Sequence, residues 1–436
     1  MTATALREVA REKAEEALLG NGGPAGVLAA RRSYQQVWAR DSMLSGFGLM
    51  LADATEAADL HGRSLATLEK YQSELGKIPH NVGFAGLPDP ALVAEGGALR
   101  GPLGAAVVDT AHAGCIDSNL WYILGHYIRY SVEREVGAVK AAWPSLLRAH
   151  LWLQYQDSNE CGLLEAHEAM DWADLFANRY NSLGPNALWF AAHKAMARMA
   201  RAQDLADDAQ RFEAAAEDVK FKLNLLLWVG PEVKRDLGWV AEHRTEWLYP
   251  LQRSEVELQQ RPYYLPYVAF RDFADRFDTF GNLLAILFGI ASPAQSERIL
   301  EFINMAGLAS PWPIRVVYPV VHPGDKDWRE YYRVRNLNLP DQYHNGGAWP
   351  FVGGFLVAAL VKAGRKAEAA LILNRLAEMN QQSATGGEWG FHEWFHGRSG
   401  QPMGFPQQSW SAAMYLYADE CVLRGSCPFF DREDGW

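Results

Sequence analysis

Cysteine is scarce in this chain, which has four in 436 residues and no C-x-x-C pair: Cys115, Cys161, Cys421 and Cys427. This spacing favours neither a disulfide framework nor a metal cluster, so reduced thiols are expected. Clusters of Lys and Arg are absent as well, and the net charge is −11. An acidic chain without basic clusters disfavours nucleic acid and anionic membranes as partners.

Targeting and membrane-spanning patterns are also missing. The first twenty residues carry acidic side chains and helical periodicity where a secretion signal has an apolar run. No apolar stretch approaches the length needed to span a bilayer. A phosphate-binding glycine loop, a dinucleotide fingerprint and a nucleophile elbow are all lacking. We therefore expect a cytoplasmic protein that binds a neutral small molecule and needs no cofactor, with homo-oligomerisation left open.

Hydrophobic residues make up 49% of the chain, enough for a large core. Strand-like alternation is sparse, and residues 314–321 form the one stretch rich enough in β-branched side chains to predict a strand. Apolar spacing of three and four residues predicts a mostly α-helical protein. The predicted helices cover residues 3–18, 40–54, 60–75, 113–132, 137–156, 184–203, 206–228, 278–290, 293–306, 346–362, 365–380 and 408–424.

These helices come in pairs, with short links inside a pair and longer links rich in Gly, Pro and aromatic residues between pairs. The inner members begin near residues 41, 117, 184, 278, 346 and 408. Six such hairpins can close into a double ring, in which residues 3–18 complete the outer layer. We predict one all-α domain over residues 1–436.

Residues suited to binding a sugar lie just before or at the start of these inner helices, and a ring would bring them to one mouth. Trp faces suit pyranose rings, and carboxylates, amides and Arg suit sugar hydroxyls. For Arg40 and Asp41 the alternative is a structural ion pair or a helix N-cap, and for His344 and Asn345 it is a turn. The binding candidates are Trp38, Arg40, Asp41, Asp117, Asn186, His344, Asn345, Trp349, Trp394 and Gln408.

Glu393 stands among aromatic residues and is followed by a turn containing Gly397, Gly400 and Pro402. A loop of this composition is a suitable place for a binding or catalytic residue. We predict that Glu393 is the catalytic base of a sugar-cleaving enzyme, the alternative being a solvated surface carboxylate.

The same segment also matches H-E-x-x-H, since His392 and His396 flank Glu393. On a helix this motif supplies two zinc ligands and a general base, which makes a zinc metallopeptidase an alternative of another class. Glycines crowd both sides of the motif and disfavour the two helical turns that it requires. We therefore expect no metal.

The chain resembles the alkaline/neutral invertases of glycoside hydrolase family 100, and more loosely the debranching glucosidases and family 63 hydrolases. The resemblance lies in several motifs that occur in the same order along the chain. They are VWARD at 37–41, FDTFGNLLAILFGIASPAQSE at 277–297, WPIRVVYP at 312–319, YHNGGAWP at 343–350, and Gln-x-Trp at 408–410. The resemblance implies an (α/α)6 barrel and inverting hydrolysis by two carboxylates without a metal. It places the general base on Glu393 and the general acid between residues 160 and 185.

The acid segment departs from the invertase pattern and reads EAMDWADLFANRYNSLGPNALWF. Asp171 is the predicted general acid, because apolar and acidic neighbours would raise its pKa, and Asp174 is the reserve. Helix capping is the alternative role for Asp171. The expected activity is exo-acting cleavage of a small α-glucoside, sucrose first, then an α-1,6-linked disaccharide or a glucosylglycerate-type solute. A sugar-binding or isomerising protein on the same barrel is the remaining alternative.

Overall fold

The computed structural model describes residues 3–84, 106–109, 115–384, 386–387, 389–431 and 436. Most of these residues are helical, and each predicted helix is present. None of the helices in these ranges is long and apolar enough to cross a membrane. The helices are α1 Ala3–Gly20, α2 Ala39–Leu49, α3 Thr55–Lys70, α4 Ile116–Glu133, α5 Val136–Gln154, α6 Leu183–Ala202, α7 Ala206–Leu227, α8 Leu237–His243, α9 Thr245–Leu258, α10 Thr279–Leu287, α11 Pro293–Met305, α12 Pro350–Lys362, α13 Lys366–Gln381 and α14 Ser409–Arg424.

Helices α2, α4, α6, α10, α12 and α14 form an inner ring in which each packs against the next and α14 packs back on α2. All residues of α10 and nearly all of α12 are buried, because these helices have neighbours on every side. Glycine permits the closest contacts. A Cβ on Gly48 of α2 would lie 2.6 Å from the Ala413 Cα of α14, and one on Gly354 of α12 would lie 2.5 Å from the Met414 carbonyl oxygen.

The other helices lie outside this ring. Helices α3, α5, α7 and α13 pack against α2, α4, α6 and α12, and α1 packs against both α13 and α14. Helix α11 lies between α7 and α13, since Gln295 donates to Asn224 at 2.9 Å and Asn304 donates to Glu368 at 2.9 Å. Helix α1, predicted over residues 3–18 to complete the outer layer, thus lies outside the ring against α13 and α14.

Short antiparallel strands pair the loops that precede the inner helices. Strand β3 leads into α2, β6 leads into α6 and β9 leads into α10, so the pairings hold loops at the end of the ring where these helices begin. The registers align Trp38 with Asn81, Ser182 with Tyr267, and Asp278 with Val317. The strands are β1 Gly22–Gly23, β2 Gly26–Val27, β3 Val37–Trp38, β4 Asn81–Phe84, β5 Ala106–Asp109, β6 Asn181–Ser182, β7 Tyr267–Ala269, β8 Asp272–Phe273, β9 Phe277–Asp278, β10 Val317–Tyr318, β11 Trp394–Phe395 and β12 Pro402–Met403.

Some predicted boundaries are wrong for identifiable reasons. Helices α8 and α9 are not among the predicted helices, because non-helical backbone at Arg244 separates them and Pro250 lies inside α9. The predicted strand 314–321 is limited to β10, since Pro319 follows it and proline cannot donate to a ladder. Helix α12 begins at Pro350, after Gly346 in the left-handed region with φ of 94°.

Candidate active site

Glu393 occupies a buried position at the start of the β11–β12 pair. The Glu393 N–H donates to the Phe405 carbonyl at 3.0 Å, and the Phe405 N–H donates to Glu393 Oε2 at 3.3 Å. The residue is 6% exposed. Burial, with smaller contributions from the charges of Asp41 and Asp174, raises the pKa of Glu393 to about 8 against the opposing Phe405 N–H. Glu393 is thus a carboxyl group that can change protonation state near neutral pH.

The backbone around Glu393 is held in uncommon conformations. Gly404 has φ of 63°, and a Cβ there would lie 2.5 Å from Glu393 Oε2, so only glycine fits beside the carboxylate. Trp389, Phe391 and Gln407 are also left-handed, with φ of 62°, 40° and 59°. Such conformations cost on the order of 1–3 kcal/mol each and concentrate at functional sites. Their clustering here marks this loop as a candidate site.

Asp41, Asp174 and Glu393 act electrostatically on one another, and we call them the acid cluster. Asp41 lies in the first turn of α2 and is 7% exposed. Burial raises the pKa of Asp41 to about 7; the charge of Asp174 adds to this effect and the Arg40 guanidinium opposes it. The charge of Asp174 also raises the pKa of Glu393. Because neighbouring carboxylates resist ionising together, the charge of each member favours the protonated form of the others.

Asp171, the predicted general acid, has Asp278 and Asp117 as its main charged neighbours, and Asp117 and Arg40 also act on Asp41. It is 4% exposed and accepts a hydrogen bond from a backbone N–H two residues later, at 2.9 Å. Burial raises the pKa of Asp171 to about 7, with added contributions from Asp278 and Asp117. The segment therefore carries two acids with different surroundings: Asp171 near Asp117 and Asp278, and Asp174 in the acid cluster.

Arg40 and Asp117, both predicted to bind substrate, form a buried two-point ion pair. Arg40 Nε donates to Asp117 Oδ2 at 2.5 Å, and Nη2 donates to Oδ1 at 3.1 Å. Arg40 Nη2 also donates to the Asp171 carbonyl at 3.1 Å. This pair positions the acid segment against α2 and α4, which agrees with the structural alternative for Arg40.

Asn186 and Asn345 also bond within the chain. Asn186 accepts from the Leu164 N–H at 2.7 Å and donates to the Leu164 carbonyl at 3.0 Å. Asn345 holds Val321 in the same way, at 2.7 and 2.9 Å. Both residues are fully buried. Each side-chain amide therefore pairs with both backbone groups of one loop residue, as a neighbouring β-strand would. This pairing fixes the loop at the end of the ring.

Gln408 and His344 present a contrasting picture. Among the residues that the structure describes, neither Gln408 Oε1 nor Nε2 has a hydrogen-bond partner, although the residue is 1% exposed. His344 Nδ1 is likewise without one, and burial lowers the pKa of His344 well below its usual value, so the ring is neutral. A buried polar group without a partner costs roughly 1–3 kcal/mol. Gln408 and His344 are therefore the predicted binding residues with hydrogen-bonding capacity to spare.

The three predicted stacking tryptophans differ in accessibility. Trp349 is 1% exposed, donates from Nε1 to the Tyr343 carbonyl at 3.0 Å and packs edge-on against Trp172. Trp394 is 2% exposed and packs edge-on against Tyr343. Trp38 is half-buried. In this conformation Trp38 alone of the three keeps accessible surface for a sugar ring.

Sequence reasoning missed two aromatic residues that shape the site. Tyr34 is half-buried and lies edge-on to Phe405, with ring centroids 5.1 Å apart. Burial and the charges of Glu393 and Asp41 raise the pKa of the Tyr34 hydroxyl. Trp172 lies edge-on to His344, with centroids 5.0 Å apart. The only sequence signal for either was proximity to a motif, three residues before β3 for Tyr34 and one after Asp171 for Trp172.

The H-E-x-x-H match is not on a helix, because Trp394 and Phe395 form β11. His392 Nε2 accepts from the Ala384 N–H at 3.2 Å, and His396 Nδ1 accepts from two backbone N–H groups in its own turn. The described residues include no group of three or more His, Cys, Asp or Glu that could hold a metal ion. The motif lacks the helical spacing that places both histidines on one metal.

Comparison with protein families identifies the part of the chain that carries Glu393. Residues 262–424 match the family of alkaline and neutral invertases. This invertase-like segment includes α10 to α14, Glu393 and Gln408, whereas Asp41, Asp171 and Asp174 lie before it. The resemblance to family 100 is thus found by independent comparison.

Individual invertases match over the same share of the chain. The chloroplastic alkaline/neutral invertase E of Arabidopsis thaliana is 34% identical over 155 residues, which is 34% of this chain and 24% of that protein. Cytosolic invertase 1 of Oryza sativa subsp. japonica is 31% identical over 148 residues, 33% of this chain and 25% of that protein. The matched part therefore spans about a quarter of each relative.

Solved structures share the fold over nearly the whole chain. Mannosylglycerate hydrolase of family 63 from Thermus thermophilus, in complex with Tris and D-glycerate, has a TM-score of 0.61 and 16% identity, covering 93% of this chain and 99% of that one. A bacterial glucoamylase with acarbose has a TM-score of 0.56 and 14% identity, covering 92% and 51%. At these identities the likeness shows a shared helical-barrel fold.

Proposed function

We propose that this chain is an inverting, exo-acting glycoside hydrolase that cleaves a small α-glucoside on a single six-hairpin (α/α)6-barrel domain. The observation that carries the proposal is Glu393: a buried carboxyl group with a raised pKa, beside further carboxylates, inside a segment that matches the invertases. The closed inner ring supports the barrel. We also propose a cytoplasmic location, while the matched relatives are named as cytosolic, chloroplastic or mitochondrial.

In the proposed reaction a water molecule attacks the anomeric carbon while Glu393 takes a proton from it. An Asp on the other side of the sugar gives a proton to the glycosidic oxygen, the carbon–oxygen bond breaks, and the configuration inverts. Inversion requires the two carboxyl groups to be roughly 6.5–9.5 Å apart, with room for the water.

Two residues remain proposals for the acid. The sequence favours Asp171, whose raised pKa of about 7 suits a proton donor. The electrostatic contacts favour Asp174, because its charge acts on Glu393 and Asp41 whereas the main charged neighbours of Asp171 are Asp278 and Asp117. A catalytic pair must flank one sugar, so we propose Asp174 as the acid and Asp171 as its buried neighbour.

Sucrose is the first proposed substrate, because the matched relatives are named invertases. A glucosylglycerate-type solute is the second, since the similar hydrolase from Thermus thermophilus is named for mannosylglycerate and its structure holds D-glycerate. Steady-state rates on sucrose, isomaltose, glucosylglycerate and soluble starch test the proposal. We expect a short glycoside to be cleaved fastest, and a preference for starch would contradict the exo-acting pocket.

A further inference from the structure

Arg335 is an exposed cation near the acid cluster. It lies on the Glu330–Asn336 turn with left-handed backbone, φ of 54°. The guanidinium makes no hydrogen bond or ion pair with any residue that the structure describes. Arg333, two residues earlier, is also exposed but pairs with Glu330 at 3.1 Å. Arg335 is therefore a cation whose partner is not supplied by the described chain.

Two anchors hold this turn against the acid segment. On one side the Tyr332 ring stacks on Phe176, with centroids 5.3 Å apart, and its hydroxyl accepts from the Ala177 N–H at 3.0 Å. On the other side Asn338 Nδ2 donates to the Leu175 carbonyl at 2.7 Å. The anchors lie three residues before and three after Arg335, and Leu175 follows Asp174. The turn carrying Arg335 is thus fixed beside the proposed acid.

The Tyr34 hydroxyl is affected both by the charge of Arg335 and by the charges of the acid cluster. The Tyr34 side chain is half-buried beside Phe405, whose N–H bonds to Glu393. Burial and the charges of Glu393, Asp41 and Asp174 raise the pKa of the Tyr34 hydroxyl, while the charge of Arg335 lowers it. Arg335 therefore acts electrostatically on the same half-buried tyrosine as the acid cluster, and it is itself exposed.

This arrangement suits a substrate that is neutral at one end and anionic at the other. Buried carboxylates would repel a negative charge in the cleavage site, so the anionic group must remain outside it. A guanidinium free of internal partners can bind a carboxylate through two parallel hydrogen bonds. The neutral sugar would occupy the acid cluster and the charged aglycone would reach the turn.

We propose that Arg335 binds a carboxylate on the aglycone, which makes small glycosides with an anionic aglycone the preferred substrates. The inference rests on the proposed glycoside hydrolase function and refines its substrate class. It moves the first choice of substrate from a neutral disaccharide to a carboxylate-bearing glycoside.

The test compares α-glucosylglycerate with α-glucosylglycerol, which replaces the carboxylate by a hydroxymethyl group. We expect the wild type to prefer the anionic compound in kcat/KM by about tenfold, and added salt to reduce the preference. Arg335→Gln should remove the preference by raising KM for the anionic compound, so that kcat/KM becomes similar for the two compounds. Arg333→Gln is the matched control, since it removes the same charge from a paired position and should preserve the preference.

Equal cleavage of the two compounds by the wild type, or an equal loss on both in Arg335→Gln, would overturn the inference. The proposed function itself is tested separately with α-glucosyl fluoride, which has an activated leaving group and no carboxylate. Calorimetric binding of both compounds to the Glu393→Gln protein gives a readout without turnover. Binding of the anionic compound no tighter than the neutral one, or unchanged by Arg335→Gln, would also overturn it.

Discussion

The two sides of the candidate site differ in how strongly the sequence identifies them. The base side, with Glu393 and Gln408, lies inside the segment that matches the invertases. The acid side, with Asp41, Asp171 and Asp174, lies before it and carries the motif EAMDWADLFANRY. Glu393 is thus singled out both by lying in the matched segment and by its burial and raised pKa. The acid side has to be assigned from burial, charge and contacts, and it is where substrate preference is expected to differ from the relatives.

The largest expected effect is on the base side. Glu393→Gln keeps the size of the side chain and removes its ability to take a proton, so turnover should fall by at least about a hundredfold. Because burial raises the pKa of Glu393 to about 8, wild-type kcat/KM should decline as pH falls below 8 and the base becomes protonated. Activity within tenfold of wild type would contradict the assignment.

The same variant should be more stable than wild type at alkaline pH. The folded-state pKa of Glu393 lies above its ordinary value of 4.5, so the folded protein binds the proton more tightly, and stability falls as pH rises from about 4.5 to about 8. Gln carries no charge and escapes this loss. The gain in unfolding free energy should be on the order of 4–5 kcal/mol at pH 9 and absent at pH 4. Equal melting temperatures at pH 9 would show that the carboxylate is not destabilised by burial.

The next prediction tests which aspartate, Asp174 or Asp171, is the general acid. Asp174→Asn should lower kcat/KM on an unactivated glucoside by about a hundredfold, while leaving much of the activity on α-glucosyl fluoride, which needs little help from an acid. Asp171→Asn is the control, since it removes a buried carboxylate of the same segment. If Asp171→Asn shows the substrate-dependent loss and Asp174→Asn does not, the sequence-based assignment of Asp171 is right.

A smaller effect is expected from the loop that holds the base. Gly404→Ala places a Cβ 2.5 Å from Glu393 Oε2 and strains a left-handed backbone, so Glu393 should shift and kcat should fall by about tenfold or more. Gly387→Ala is a matched control in the same loop region, where a Cβ would meet nothing within 4 Å. A similar loss in both variants would point to general loop sensitivity.

The smallest expected effects distinguish Gln408, an amide proposed to bind substrate, from Asn345, an amide that holds a loop in place. Gln408→Met removes groups that have no partner in the described chain, so KM should rise several-fold with little loss of thermal stability. Asn345→Leu leaves the Val321 N–H and carbonyl unpaired, which should cost about 1–3 kcal/mol of unfolding free energy. Melting curves and KM values of both variants check this prediction. It is wrong if Gln408→Met is less stable than Asn345→Leu.

The sequence predicted the helices well and the contacts between loops poorly. Apolar periodicity is a local signal, and it located each inner helix to within a few residues, as with α14 predicted at 408–424 and found at Ser409–Arg424. Motif context similarly led to the proposals for Glu393 and Asp41, both of which are buried. Periodicity cannot show that α9 contains a tolerated Pro250.

The surroundings of several candidate site residues depend on distant parts of the chain. Asp174 meets Glu393 across more than two hundred residues, and Tyr34 meets Phe405 across a still longer separation. Asn186 looks like a binding amide until Leu164 is found to occupy both of its groups. Such pairings follow from how the ring closes, which no local pattern contains.

The anomeric configuration of the first-formed sugar tests the proposed mechanism most directly. Proton NMR during early turnover of an α-glucoside should show β-glucose, because water attacks from the side opposite the leaving group when Glu393 acts as a base. Mutarotation then mixes the two forms, so the first minutes decide the result. Early appearance of α-glucose would mean retention and would contradict the role assigned to Glu393.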